Sequence, residues 1–121
     1  MDDQEFQAIV EEAIREIPEE FREKIENIDI LIEDYPDPET LRSMKVSKNG
    51  LLGLYTGIPH PKRSPFFYGN TLPDRIYLFK KNLEAFCHSR EELKDQIQRT
   101  VLHELGHYFG ISDKRLRELG F

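Results

Sequence analysis

Residues 89–113 read S-R-E-E-L-K-D-Q-I-Q-R-T-V-L-H-E-L-G-H-Y-F-G-I-S-D, and this stretch decides what kind of domain the chain builds. Ser89 followed three positions later by Glu92 is a capping-box pattern, which opens a helix by satisfying its first free amides. Leu93, Ile97, Val101, Leu105 and Tyr108 then recur at three- and four-residue steps, so they line one helical face. Gly110 supplies the stop, because glycine most easily takes the conformation that ends a helix. The predicted helix is about 20 residues long, roughly 30 Å at the standard rise.

The last turns of that helix carry His103, Glu104 and His107. Two histidines four residues apart sit about 40° apart around the axis, close enough to share one ion. Val101 and Leu105 belong to the apolar stripe, so the helix has a core face and a second face bearing both imidazoles. Zinc takes neutral imidazole nitrogens and carboxylate oxygens in a tetrahedral array, and a catalytic site keeps one position for water. One turn of helix supplies two ligands and no third. Gly110 lets the chain leave sharply, and Asp113, three residues on, is placed to swing back as the third ligand. Glu104 flanks the metal face, where its carboxylate would orient bound water and accept its proton. Zinc lowers the pKa of that water to around 7, which makes a nearby carboxylate a competent base. Asp113 also suits a different task, the N-cap of a short final helix, and Glu118 or His60 would then be the spare ligand.

Outward from this helix the chain alternates element types. Phe6, Ile9, Val10, Ala13, Ile14 and Ile17 mark an amphipathic N-terminal helix. Pro18 either kinks it or starts a second helix, with Phe21, Ile25 and Ile28 continuing the stripe. Ile28–Ile32, Leu51–Thr56 and Arg75–Lys80 read as strands, and Gly53 marks a bulge or a close backbone approach. A helical turn is expected around Thr40–Met44, after the Pro36 and Pro38 pair ends the first strand, and a short last helix over Asp113–Leu119. Residues 57–74 form a long loop whose Phe66, Phe67 and Tyr68 either line a cleft or pin the loop to the core. Tyr55, Tyr68 and Tyr77 are all candidates to stabilise an oxyanion. His60 and His88 are each open to a role as ligand or transition-state donor, with a surface position the plainer reading, and Cys87 has no supporting arrangement around it and reads as inert.

The pattern H-E-x-x-H-x-x-G-x-x-D over residues 103–113 resembles the zinc-binding signature of zincin metallopeptidases. The resemblance makes His103, His107 and Asp113 ligands, Glu104 the catalytic base and Gly110 the turn. More narrowly, the chain is similar to a family of small bacterial proteins described as minimal zincin-like metallopeptidases. Leu51-Leu52-Gly53-Leu54-Tyr55, Leu72-Pro73-Asp74-Arg75-Ile76 and Gly110-Ile111-Ser112-Asp113 carry that likeness over nearly the whole chain. It implies an α+β fold in which a small sheet of about three strands packs against an N-terminal helix and a long active-site helix. The likeness does not extend to the methionine turn of the metzincins, since Met1 and Met44 both precede the helix.

Composition narrows the alternatives. At 121 residues the chain fits one domain, 1–121, and 38% hydrophobic residues is too many for a disordered chain. The net charge of −6 and the absence of a long basic run argue against nucleic acid. One cysteine, Cys87, leaves no disulfide framework and no cysteine-rich metal site. No apolar run reaches the ~20 residues of a membrane span, and the acidic start M-D-D-Q-E-F differs from a secretory signal, so a cytoplasmic address is expected. Two function classes fit. One is a zinc-dependent hydrolase acting on a peptide laid along a strand edge, with an oligomeric partner completing the cleft. The other is a zinc-binding interaction or regulatory module without turnover.

Overall fold

The apolar spacing of the N-terminal segment produces helix α1 over Asp3–Arg15, capped by Asp2, whose side chain accepts from Glu5 N at 2.8 Å. The computed structural model describes residues 1–56 and 74–121, apart from the side chains of His107 and Tyr108. Phe6, Ile9, Val10 and Ala13 of α1 are buried. Pro18 does not kink α1. It caps a second helix, α2, over Glu19–Ile25, with Phe21 and Ile25 buried. Strand β1 covers Ile28–Glu33. The two prolines that end it also begin helix α3, Pro38–Met44, where Pro38 occupies the first turn and needs no amide partner. The Asp37 side chain caps α3 by accepting from Thr40 N at 2.8 Å, and that bond holds its carboxyl below the usual carboxylate range. Strands β2 and β3 cover Gly53–Thr56 and Asp74–Phe79.

The three strands form one mixed sheet in the order β1-β3-β2. β1 is parallel to β3, with Ile30 beside Ile76, and β2 is antiparallel to it, with Tyr55 beside Ile76 and Leu54 beside Tyr77. The sheet therefore has one face carrying Ile30, Tyr55 and Ile76 and a second carrying Leu31, Leu54 and Tyr77.

Helix α4, Lys80–Phe86, follows β3 directly, where the sequence pattern suggested that the strand continued to Lys80. Its buried residues are Lys80, Asn82 and Leu83, two of them polar, so the hydropathy pattern concealed it. Asn82 is satisfied by donating to Lys48 O and Leu51 O, both at 2.8 Å. Lys80 bonds Asp3 at 2.6 Å, which raises the lysine above and lowers the aspartate below their ordinary values.

Helix α5 runs over Arg90–Phe109 and α6 over Asp113–Glu118. Ser89 caps α5 through Glu92 N at 3.1 Å, while Glu92 reaches back to His88 N at 3.3 Å, one position earlier than an ideal capping box. Leu93, Ile97, Val101 and Leu105 are buried as the stripe requires, and so is Leu102 beside it. The wider burial reflects the position of α5, which packs on α1 and on the sheet. The architecture is the expected α+β arrangement: a three-stranded sheet, an N-terminal helix and a long helix carrying the motif. No described helix is long and apolar enough to cross a membrane.

Candidate metal centre

Three local features bring residues 103–113 together. The first is the approach of α5 to the sheet. A Cβ built on Gly53 would lie 2.5 Å from Thr100 Cγ2 and 3.1 Å from Tyr77 O, so β2 can carry no side chain where the helix crosses it. Gly53 thus serves a close approach, one of its two predicted uses.

The second is the exit from α5. Gly110 takes φ 72°, a left-handed conformation that costs a residue with a Cβ about 1–2 kcal/mol. Its amide bonds Gly106 O, and the amide of Ile111 bonds the same carbonyl at 3.0 Å, closing a wider ring of the Schellman kind. Gly106 is the residue that sequence reasoning undervalued. A Cβ there would stand 3.0 Å from Ile111 O, so the returning chain lies hard against the helix only because position 106 is bare. The glycine between Leu105 and His107 was the available signal, since a glycine inside a helix is costly unless something approaches it.

The third is the cap of α6. Ser112, not Asp113, is the N-cap, accepting from Arg115 N at 3.1 Å. Asp113 is the first helical residue, and its carboxylate is left for another use. Its Oδ1 lies 3.6 Å from Nδ1 of His103, a neighbour rather than a hydrogen-bond partner. Both groups are open to solvent, with side-chain exposures of 43% for His103 and 77% for Asp113. Glu104 is half-buried beside them. His107 lies on the same helix one turn on, and its side chain is outside the described residues. Among the described residues no group of three or more His, Cys, Asp and Glu is assembled tightly enough to hold a metal. The described part of the donor set, one imidazole facing one carboxylate, is of the nitrogen and oxygen chemistry that zinc takes.

The surroundings brace this end of α5. Lys24 of α2 lies over the Phe109 ring at 5.0 Å, and Arg115 of α6 faces Glu20 of α2 at 3.7 Å. Leu116 is fully buried, and its carbonyl accepts from Phe121 N at 2.8 Å.

Other candidates separate. Tyr55 stands on the sheet face that α5 covers, whereas Tyr77 lines a cavity on the opposite face and cannot reach His103. Tyr68 and His60 fall outside the described residues, as do Phe66 and Phe67. His88 precedes the other end of α5, more than four helical turns from His103. Glu118 sits 3.8 Å from Arg115 on α6. Cys87 is half-buried, and burial, helped by Glu92 and Asp95, pushes its thiol up, away from nucleophilic thiolate character.

With this geometry established, the comparison with known families is decisive, because the profile of the zincin-like metallopeptidases matches residues 25–121. The chain belongs to the zincin-like metallopeptidase family. The matched region runs from the end of α2 through α6 and includes the whole of His103–Asp113. Zinc-dependent peptidase chemistry is the class this family membership suggests. No curated protein matches the chain. Its fold is similar to that of a conserved hypothetical protein from T. thermophilus, with a TM-score of 0.59 and 24% identity over 90% of this chain and 94% of that one. At that identity the likeness speaks for the fold alone.

Proposed function

We propose that this zincin-like protein is a zinc-dependent hydrolase of the metallopeptidase class, with His103, His107 and Asp113 as metal ligands and Glu104 as general base. The observation that supports it best is the 3.6 Å approach of Asp113 to His103 across the Gly110 turn, with Ser112 relieving Asp113 of capping. Bound zinc would polarise the attacked carbonyl and make water acidic enough to ionise near neutral pH. Glu104, adjacent in the chain to His103, takes the proton of the attacking water and passes it to the leaving amine. Asp113 balances one positive charge of the ion, and the exposure of His103 leaves the site accessible to a peptide. β2 is the edge strand against which α5 packs, so it is the edge along which substrate would lie extended.

Glu104→Gln tests this reading. The amide keeps the shape of the side chain but cannot accept the proton. Zinc content and Tm should match the wild type, while turnover of a peptide substrate found by screening should fall about 10²–10⁴-fold, the usual worth of a general base. Loss of zinc from the variant would make Glu104 a ligand or a brace. Full turnover with zinc retained would exclude the mechanism. A wild type that holds zinc and turns over no peptide would favour the interaction module instead.

A further inference from the structure

β1 is the sheet edge far from β2, and its outer side has no strand partner among the described residues. An edge strand directs about half of its amides and carbonyls away from its single neighbour, and exposed edges are normally protected by charged side chains, above all lysine, by proline or by a bulge. β1 has no lysine, proline or bulge, and its only charges are the carboxylates of Asp29 and Glu33. Its sequence, I-D-I-L-I-E, keeps three consecutive apolar residues near the surface: Ile30 and Ile32 are half-buried and Leu31 is 36% exposed.

The strand also separates two cavities. On the helix side, a groove of about 600 Å³ is walled by Val10 and Ile14 of α1 and by Ile30–Ile32. Its rim residues Gln7, Glu11 and Arg15 carry no net charge. On the other side, a cavity of about 280 Å³ is lined by Glu33, Tyr35, Asp37 and Tyr77 among others. That cavity is acidic and aromatic. The Lys48 ammonium already lies over the Tyr35 ring at 4.2 Å, so a cation is accommodated at its margin. Glu33 has no ion-pair partner among the described residues, and Asp29 stands beside Arg75 of β3.

We infer that β1 is a docking edge for an extended, basic peptide segment, distinct from the metal centre and independent of its chemistry. A strand added to β1 alternates its side chains between the two faces. Apolar residues then enter the groove against α1, and the intervening lysines or arginines meet Glu33 and the aromatic cavity. Backbone pairing selects an extended chain, and the charge on the outer face selects a basic one. A second copy of this protein is a poorer occupant. Two-fold pairing of β1 with itself would set both copies' Asp29 and Glu33 on one face of the joined sheet, where like charges repel.

The test uses the full chain and a fluorescein-labelled, N-acetylated peptide, Lys-Ile-Lys-Val-Lys-Ile-Lys in sequence, read by fluorescence anisotropy. The expected result is saturable binding that slows hydrogen exchange at the amides of residues 29–33. The same peptide with glutamate for each lysine should bind at least about tenfold more weakly, and Glu33→Lys should weaken the basic peptide by about tenfold. Glu33 is exposed, so the variant should fold, and circular dichroism checks that it does. Absence of binding, equal affinity for the acidic peptide, or binding without protection in β1 would overturn the inference. So would sedimentation showing that the chain dimerises through β1.

Discussion

The two ends of α5 have opposite surroundings. At the N-terminal end, Leu93 and Ile97 are buried, and Gln98 donates to Ala13 O of α1 at 3.0 Å. Glu12 meets Arg90 at 3.0 Å and Lys94 at 3.5 Å, and Lys94 meets Glu16 at 2.7 Å. At the C-terminal end, Val101, Leu102 and Leu105 are buried on one face while His103 and Asp113 are open to solvent, and two glycines shape the turn that returns Asp113 to His103. One end is organised around burial and satisfied polar groups, the other around accessible donors. A helix fixed firmly at one end can hold exposed ligands in place at the other, and the stability and the chemistry can be perturbed separately.

The largest expected effect falls on the fixed end. Ile97 is fully buried, so Ile97→Ala should cost about 2–5 kcal/mol of folding stability, measured by urea denaturation. The zinc affinity of the folded fraction should stay at the wild-type value. A matching loss of affinity would show that the two ends are not separable.

Gly110→Ala should do the reverse. The strained left-handed residue costs about 1–2 kcal/mol, with no steric clash added because nothing lies within 4 Å of the new methyl group. Its effect on zinc affinity should exceed that of Ile97→Ala, since the turn sets the distance from His103 to Asp113. Calorimetric titration of zinc into each variant gives the comparison, and unchanged affinity would show that the Gly110 turn does not position the ligands.

The sequence made the long helix and its end legible because three signals agreed there: cap, stripe and glycine stop. The close approach at Gly53 was also foreseen, and its partner, Thr100, needed the structure. Two features were obscured by chemistry that hydropathy cannot weigh. Helix α4 buries Lys80 and Asn82, which reads as a polar surface until Asp3 and the carbonyls of Lys48 and Leu51 are seen to satisfy them. The use of Gly106 emerges only when Ile111 is found packed against it. The role of Asp113, ligand or N-cap, was open as well, because aspartate suits a cap and only the placement of the backbone gives that task to Ser112.

Zinc held at the end of α5 is the central claim, and elemental analysis of the purified chain tests it most directly. The predicted result is about one zinc per chain in the wild type. His103→Ala and His107→Ala should each contain essentially none, because two remaining ligands rarely hold zinc, and Asp113→Ala should show a weakened, partial content. Full zinc retention in either histidine variant, in protein shown by circular dichroism to be folded, would contradict the assignment of this site.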